Sequence, residues 1–386
     1  MGILIRLREA AQDIFRKADM VLLALCLVST AFGIVLIASA TNYRGPEFQM
    51  RRVILQTVGT LLGLAAYFIF SNTDVEHFAE KWPLFLIFNL GFIALLLPFG
   101  IDDGTGNRAW LDFSWLPMSI QPAEVVKLSY TILLAKQIAW FRERRGMRGL
   151  GSLVFPAGHA AFMFLWIYVI SHDAGSGLVY LVIYAAMALA AGLAWYWFAA
   201  GFSILALGIG GLALFDKLPT YWLNRILVVF DHSYDEAVAW QQTRSMMALG
   251  SGGLFGQGLF HGIQTQSSAG LPARQTDFIF SVCGEELGLV GCLLIIILEF
   301  LIVYRCFHTA RLAHSSMDAL ICVGFASMLI VQVVENIGMC LFVMPVIGLP
   351  LPFFSYGGSS IVTLYTAMGI VSGVRGRTLP DWLRKT

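Results

Sequence analysis

The sequence predicts an all-α integral membrane protein with ten transmembrane helices and a large extracellular loop between helices 7 and 8. Composition is the first observation: 58% of the 386 residues are hydrophobic, 13% are charged, and the mean hydropathy is +0.75. Soluble domains carry about 25% charged residues. The second observation is that ten apolar segments are each long enough to cross a bilayer as a helix.

These segments cover nearly the whole chain, so we expect one polytopic domain over residues 1–386. They lie near residues 20–40, 53–71, 83–100, 117–139, 153–171, 175–193, 195–215, 279–304, 317–341 and 356–374. The sixth and seventh run together, and we separate them at Trp195–Trp197 because aromatic clusters are typical of the membrane interface. Residues 1–18 mix apolar and basic side chains, which predicts a cytoplasmic amphipathic helix on the membrane surface.

The distribution of basic residues predicts the orientation. Between the spans, about twice as many Lys and Arg lie on the side of the N-terminus as on the other side, and basic residues favour the cytoplasm. We therefore expect both termini in the cytoplasm and the loop 216–278 outside the membrane.

Charge and cysteine content exclude several other classes of protein. A net charge of +1 argues against a nucleic-acid partner. The six cysteines lie in or beside apolar segments and form no C-x-x-C pair, so we interpret them as buried apolar residues rather than disulfides or metal ligands.

The fourth span contains two charged residues that need an explanation. Glu124 and Lys127 are three residues apart, which places them on one helical face and lets them pair. One interpretation is an ion pair that fixes the helix in its bundle. The other is a polar cavity that reaches into the membrane, because ionisable groups there are costly and are commonly functional.

Two aspartates lie where spans begin on the outer side. Asp173 precedes the sixth span, and a helix cap is the simplest interpretation of it. Asp277 precedes the eighth span, where it is either a helix cap or a general base at the membrane surface.

The glycine-rich run Gly250–Gly258 lacks the preceding strand and the following Lys-Ser/Thr of a nucleotide loop, so we expect turns there or an anion-binding backbone.

Several motifs, in order along the chain, resemble the SEDS family of shape, elongation, division and sporulation proteins, and in part its RodA-like branch. The motifs are Gly106–Leu111, Gln121–Lys127, Gly250–Gly253, Thr276–Phe280, Glu285–Gly288, Glu335–Met339 and Pro350–Ser359. Two positions depart from the family pattern. Gln275 stands where the family usually has His, and Ser171–Ser176 lacks the usual proline before Asp173.

The resemblance implies a peptidoglycan glycosyltransferase that polymerises lipid II at the outer face of the bacterial cytoplasmic membrane. Its reaction would invert the sugar, since an α-linked donor gives a β-1,4 bond. The resemblance also implies a class B penicillin-binding protein as partner and membrane lipids around the chain. A lipid II transporter and a noncatalytic scaffold of a cell-wall synthase are the alternatives.

The same resemblance assigns roles to individual residues. Asp277 would be the catalytic base. Substrate-binding candidates are Gln121, Lys127 with Glu124 to orient it, Arg108, Asp173, Arg244 and Arg274. The positive charge that binds the donor's anionic diphosphate would come from these basic residues or from a divalent cation such as Mg²⁺ or Mn²⁺. The sequence does not identify ligands for such a cation.

Overall fold

The fold is a bundle of long helices joined on one side by an elaborate loop region. A computed structural model describes residues 18–101, 107–113, 118–144, 146–147, 149–214 and 220–378. The expected amphipathic helix at 1–18 lies almost entirely outside these residues. Within them, the helices are α1 Met20–Thr41, α2 Pro46–Ser71, α3 Val75–Ala79, α4 Trp82–Ala94, α5 Leu96–Phe99, α6 Pro122–Arg144, α7 Leu150–Ser171, α8 Ala174–Ala190, α9 Trp195–Leu214, α10 Thr220–Phe230, α11 Glu236–Gly252, α12 Ile263–Gln266, α13 Ile279–Leu312, α14 Ser316–Cys340 and α15 Gly358–Thr378.

A helix lies at each of the ten apolar segments. Among the described residues, six helical stretches are long and apolar enough to cross a membrane: Met20–Arg44, Pro46–Ser71, Trp82–Phe99, Gly151–Ser171, Ile279–Leu312 and Ser316–Cys340. The protein is therefore a mostly helical, multi-pass membrane protein. The count of ten crossings and the outer position of the loop 216–278 stay predictions.

The fourth segment begins later than its hydropathy suggests. Strands β1 (Gly100–Ile101) and β2 (Trp110–Leu111) form an antiparallel pair, and Leu111 also exchanges two backbone hydrogen bonds of 2.8 Å with Ile120. This extended backbone delays the helix to Pro122, and proline is favoured at a first helical position because its missing N–H has no helical partner there.

Small residues let helices α2 and α15 pack closely. A Cβ on Gly369 would lie 2.7 Å from the backbone oxygen of Tyr67, and one on Gly59 would lie 3.2 Å from the backbone oxygen of Gly358. Close backbone approach through small residues is a common way to associate helices in a membrane, where no hydrophobic force drives them together.

The glycine-rich run fits into a break in helix α13. Gly288 has φ 67° and interrupts the helical hydrogen bonds. The freed oxygens of Glu285 and Glu286 accept the N–H groups of Gln257 and Gly258, each at 2.9 Å. The freed N–H groups of Leu289 and Val290 donate to the oxygens of Gly253 and Leu254, at 2.9 and 3.2 Å. Residues 250–258 therefore satisfy a broken helix and are structural, as the turn interpretation predicts.

An ion cluster holds the helices at the end of the bundle remote from that loop. Asp19 caps α1 and is only 4% exposed. It accepts hydrogen bonds from Arg305 at 2.8 and 3.0 Å, and Arg375 lies 2.6 Å from its carboxylate. Helices α1, α13 and α15 are thereby joined through one carboxylate.

The prediction that the cysteines are buried is confirmed. All six cysteines are free and buried.

Candidate active site

A mixed polar and apolar cavity of about 370 Å³ lies where several helix ends meet. It is bounded by the β2 segment, the starts of α6 and α8, helices α10 and α11, and the segments before α13 and α15. Its polar lining includes Asn107, Gln121, Asp173, Arg225, Gln241, Thr276, Asp277, Ser355, Tyr356 and Ser360. Its apolar lining includes Trp110, Ile347, Pro350, Leu351 and Phe353. The volume is in the lower part of the usual range for small-molecule sites, about 300–1,000 Å³.

Asp277 lies in this cavity and is held through its backbone. The side-chain N–H₂ of Asn336 donates to the Asp277 carbonyl oxygen at 2.8 Å and to the Leu349 oxygen at 2.9 Å. A Cβ on Gly348 would lie 3.8 Å from Oδ2 of Asp277, so the carboxylate faces the 346–351 wall. Phe278, not Asp277, occupies the N-cap position of α13, and no side chain caps that helix. The interpretation of Asp277 as the helix cap is therefore wrong.

The segment before α15 is tied directly to the segment that carries Asp277. The Ser355 hydroxyl donates to the Thr276 oxygen at 2.6 Å and accepts from the Leu351 N–H at 2.8 Å. The Tyr356 N–H donates to the Gln275 oxygen at 2.8 Å. These bonds at residue 275 use the backbone, so they do not depend on whether His or Gln stands there.

Asp173 and Gln121 come together on another wall of the cavity. Asp173 caps α8 by accepting the Ser176 N–H at 2.9 Å, which confirms the helix-cap interpretation. The other carboxylate oxygen accepts from the Ser176 hydroxyl at 2.6 Å and from the Gln121 amide at 3.1 Å. Asp173 therefore both caps a helix and presents a polar edge to the cavity.

Arg225 is a cavity-lining cation that the sequence analysis did not select. It lies on α10 and donates to the backbone oxygen of Val346, which is also a lining residue. Gln241 and Tyr356 line the cavity as well, and the Arg52 guanidinium stacks over the Tyr356 ring at 4.7 Å. No local sequence signal separates Arg225 from the other basic residues of the loop, because its partner Val346 is 121 residues away.

Lys127 and Glu124 form the predicted pair but are not among the residues that line this cavity. The Lys127 ammonium lies 2.5 Å from the Glu124 carboxylate, and the two residues are 0% and 2% exposed. Such a pair satisfies both charges inside the bundle. The geometry agrees with the interpretation of an ion pair that fixes helix α6.

The other three predicted arginines also lie outside the lining. Arg108 is exposed, next to the lining residue Asn107. Arg244 is half-buried, with Nη1 3.5 Å from the Gln264 side-chain oxygen. Arg274 is buried, donates to the Thr265 oxygen and stacks over Tyr43 at 3.8 Å. Burial lowers the pKa of the Arg274 guanidinium from its ordinary value.

A protein-only metal site is not evident in the described parts of the chain. There, no group of three or more His, Cys, Asp or Glu side chains lies close enough together to hold a metal ion.

Taken together, the helices and the cavity define a multi-pass membrane protein with a carboxylate and a guanidinium facing one amphipathic site. The family of FtsW, RodA and SpoVE, described as "Cell cycle protein", matches residues 19–378. The chain belongs to this family, the SEDS family of cell-wall and cell-shape proteins, whose curated members include enzymes named peptidoglycan glycosyltransferases.

Individual relatives cover most of the chain. The probable peptidoglycan glycosyltransferase FtsW of Geobacter sp. (strain M18) is 29% identical over 369 residues, which cover 93% of this chain and 97% of the relative. The peptidoglycan glycosyltransferase MrdB of Escherichia coli (strain K12) is 31% identical over 301 residues, which cover 76% of this chain and 78% of the relative.

Two solved structures share the fold. A chain from a peptidoglycan synthase complex, described for its coordination of polymerization and crosslinking, aligns with a TM-score of 0.77 and 29% identity, covering 94% of this chain and 98% of that one. The rod shape determining protein RodA of Thermus thermophilus aligns with a TM-score of 0.64 and 28% identity, covering 93% and 96%.

Proposed function

We propose that this chain is a peptidoglycan glycosyltransferase that polymerises lipid II into glycan strands at the outer face of the cytoplasmic membrane. The main observation that supports this proposal is that Asp277 and Arg225 line one cavity together with apolar side chains. Sugar transfer from a lipid-linked diphosphate requires a base for the acceptor hydroxyl, a cation for the diphosphate and an apolar surface beside the lipid. Membership of a family with named peptidoglycan glycosyltransferases supports the same activity.

Asp277 would act as the base on the acceptor. The 4-hydroxyl oxygen of the acceptor sugar attacks the anomeric carbon of the donor, while its proton passes to the Asp277 carboxylate. A single displacement of an α-linked donor forms a β-1,4 bond, so the reaction inverts the sugar. Fixing the Asp277 backbone through Asn336 supports this role, because a base must be held within hydrogen-bond reach of its proton.

Arg225 would bind the diphosphate of the donor. As the bond between the anomeric carbon and the diphosphate oxygen breaks, the electron pair leaves with the diphosphate. A guanidinium stabilises that developing charge through parallel N–H donors. Arg225 is favoured over Lys127 because it lines the cavity, whereas the Lys127 charge is already balanced by Glu124. Arg108, beside the lining, stays a second candidate at the rim.

The membrane would retain the lipid part of both substrates. A cavity of about 370 Å³ holds sugar and diphosphate groups and leaves the isoprenoid in the bilayer, between helices.

The similarity to a chain of a peptidoglycan synthase complex supports a partner that crosslinks, which we propose is a class B penicillin-binding protein. Residues His261–Gln266 and Asn336–Met339 resemble RodA more than FtsW, which favours a role in cell elongation.

Purified protein in detergent, incubated with fluorescent lipid II, tests the proposal. The expected result is a ladder of glycan polymers that lysozyme digests. Reconstitution in liposomes separates the alternatives. Movement of lipid II between leaflets without polymer would identify a transporter, and neither movement nor polymer would identify a scaffold. Either result overturns the proposal.

A further inference from the structure

An arginine without a counter-charge lies against the ring of Tyr356. Arg52 is on α2 and is half-buried. Its guanidinium stacks over two aromatic rings, 4.9 Å from the centroid of the Phe48 ring and 4.7 Å from that of the Tyr356 ring. Its Nε is buried and has no hydrogen-bond partner. Among the described residues, no carboxylate forms an ion pair with Arg52.

Helix α2 holds Arg52 in this place through Gln56. Gln56 lies four residues after Arg52, and therefore on the same helical face. Its side-chain N–H₂ donates to the Ser355 oxygen at 3.4 Å, and its side-chain oxygen accepts the Gly357 N–H at 3.1 Å. Tyr356, between these two residues, lines the candidate active site. Arg52 is thus fixed against the cavity wall without being one of its lining residues.

The surroundings of Arg52 are cationic on one side and apolar on the other. The Arg44 guanidinium stacks over the same Phe48 ring at 4.9 Å, so two positive charges share one ring. Met50 and Ile54, which flank Arg52 along α2, are 60% and 51% exposed. A guanidinium that is partly removed from water and lacks a carboxylate partner favours an anionic ligand, above all a phosphate group. The exposed apolar side chains fit a phosphate that is carried on a lipid.

We propose that Arg52 binds the diphosphate of the acceptor lipid, an inference that rests on the proposed glycosyltransferase activity. The reaction brings two lipid-linked diphosphates together. The donor diphosphate is bonded to the reacting anomeric carbon, so its cation has to line the cavity, as Arg225 does. The acceptor reacts at its 4-hydroxyl, which two sugar rings separate from its own diphosphate. The cation for that second diphosphate therefore belongs outside the reacting cavity, where Arg52 lies.

The two arginines are expected to affect different kinetic constants. The acceptor diphosphate keeps all its bonds, so its charge is the same in the bound substrate and in the transition state. A contact of this kind lowers KM and leaves kcat unchanged. The donor diphosphate gains charge as its bond to the sugar breaks, so a contact from Arg225 acts on the chemical step.

Initial rates of lipid II polymerisation by the purified full-length chain, over a range of lipid II concentrations, test the inference. Arg52→Gln is expected to raise KM about 10- to 100-fold, the usual effect of losing a charge-assisted hydrogen bond, with kcat and the melting temperature retained. Arg52→Lys is expected to recover part of the loss, since a point charge replaces a planar fork. Arg51→Gln is the matched control, because Arg51 is the adjacent, exposed arginine and is expected to keep the wild-type KM.

Arg52→Met keeps the test decisive if Arg52→Gln fails to fold, because its apolar stem can still pack against Phe48 and Tyr356. A wild-type KM in either folded variant overturns the inference. A fall in kcat without a rise in KM also overturns it, since Arg52 would then only shape the wall at Tyr356. An equal rise of KM in Arg51→Gln would show a general attraction by surface charge and would have the same consequence.

A second arm separates lipid II from ordinary anionic lipids. Phosphatidylglycerol, added to the detergent micelles at the concentration of lipid II, is expected to leave the wild-type KM unchanged. If it raises KM in wild type but not in Arg52→Gln, Arg52 is a site for phospholipid headgroups and the assignment to the acceptor is wrong. A wild-type protein that forms no polymer would instead overturn the proposed function, so the two failures are distinguishable.

Discussion

At the scale of single residues, the structure distinguishes two candidate diphosphate-binding cations, Arg225 and Lys127, by the groups that they face. Arg225 faces the cavity that contains Asp277, while Lys127 is buried against Glu124. A cation that binds substrate and a cation that balances a buried acid respond differently to mutation. The first affects catalysis in a folded protein, and the second affects folding itself.

For Arg225→Gln we expect polymerisation to fall about 10- to 100-fold in kcat/KM with little change in thermal stability. The magnitude corresponds to the loss of a charge-assisted hydrogen bond of about 1.5–3 kcal/mol to the diphosphate. Arg225→Lys is expected to retain part of the activity, since a point charge replaces a planar fork. Initial rates over a range of lipid II concentrations measure this. Wild-type kinetics in Arg225→Gln would remove Arg225 from the site.

For Lys127→Met we expect a loss of stability of about 3–5 kcal/mol, because Glu124 is left as an uncompensated buried charge. The double variant with Glu124→Gln is expected to recover the melting temperature and the activity. Thermal unfolding in detergent, followed by tryptophan fluorescence, measures both variants. A folded double variant without activity would return Lys127 to the substrate-binding residues that the family resemblance implies.

At the scale of elements, the glycine-rich run and the broken helix α13 depend on each other. Gly256 has φ 80°, and a Cβ there would lie 2.1 Å from the backbone oxygen of Glu286. Gly256→Ala is therefore expected to lower the stability by at least about 1–3 kcal/mol, the usual cost of such backbone strain. Gly250→Ala is the matched control, because no atom lies within 4 Å of its Cβ position and alanine favours the helix.

Melting temperatures of the two glycine variants in detergent decide this prediction. Equal melting temperatures for Gly256→Ala and wild type would mean that the run does not need to fit into the break at Gly288. Loss of stability in Gly250→Ala as well would point to a general sensitivity of α11 instead.

Elements with a local cause were predictable, and elements with a distant cause were not. The long helices follow from runs of apolar residues, and Asp173 caps α8 through Ser176, three residues away. The late start of α6 depends on pairing between Leu111 and Ile120. The break at Gly288 is satisfied by residues about 30 positions earlier, and Arg225 contacts Val346 across 121 residues. Periodicity and capping signals carry no information on such contacts.

For Asp277, one prediction from the sequence agrees with the structure and another does not. The family resemblance selected it, and the structure places it in the cavity. The position in sequence before a helix equally suggested a cap, and that interpretation fails because α13 begins after Phe278. Glu335 was selected only as part of the family motif Glu335–Met339, and its contact with Ile347 was not predictable because it depends on the irregular segment between α14 and α15.

At the scale of the whole molecule, the mechanism requires the cavity to face the outside of the cell. Ser268→Cys places a thiol on an exposed position of the loop region, and Glu143→Cys places one on the exposed end of α6. The native cysteines are first replaced by alanine. An impermeant maleimide added to intact spheroplasts is expected to label Ser268→Cys, and Glu143→Cys only after lysis. The reverse pattern would put the cavity in the cytoplasm, where no glycan strand is polymerised.

The central claim is that the folded chain itself forms glycosidic bonds with Asp277 as the base. The most direct measurement compares lipid II polymerisation by wild type, Asp277→Asn and Asp231→Asn in one preparation. Asp231 is an exposed aspartate in the same loop region and does not line the cavity, so its variant is expected to match wild type. Asp277→Asn keeps the size of the side chain and removes the base, so its rate is expected to fall about 10²- to 10⁴-fold while its melting temperature is retained. A folded Asp277→Asn protein with a near-normal polymer yield would contradict the account.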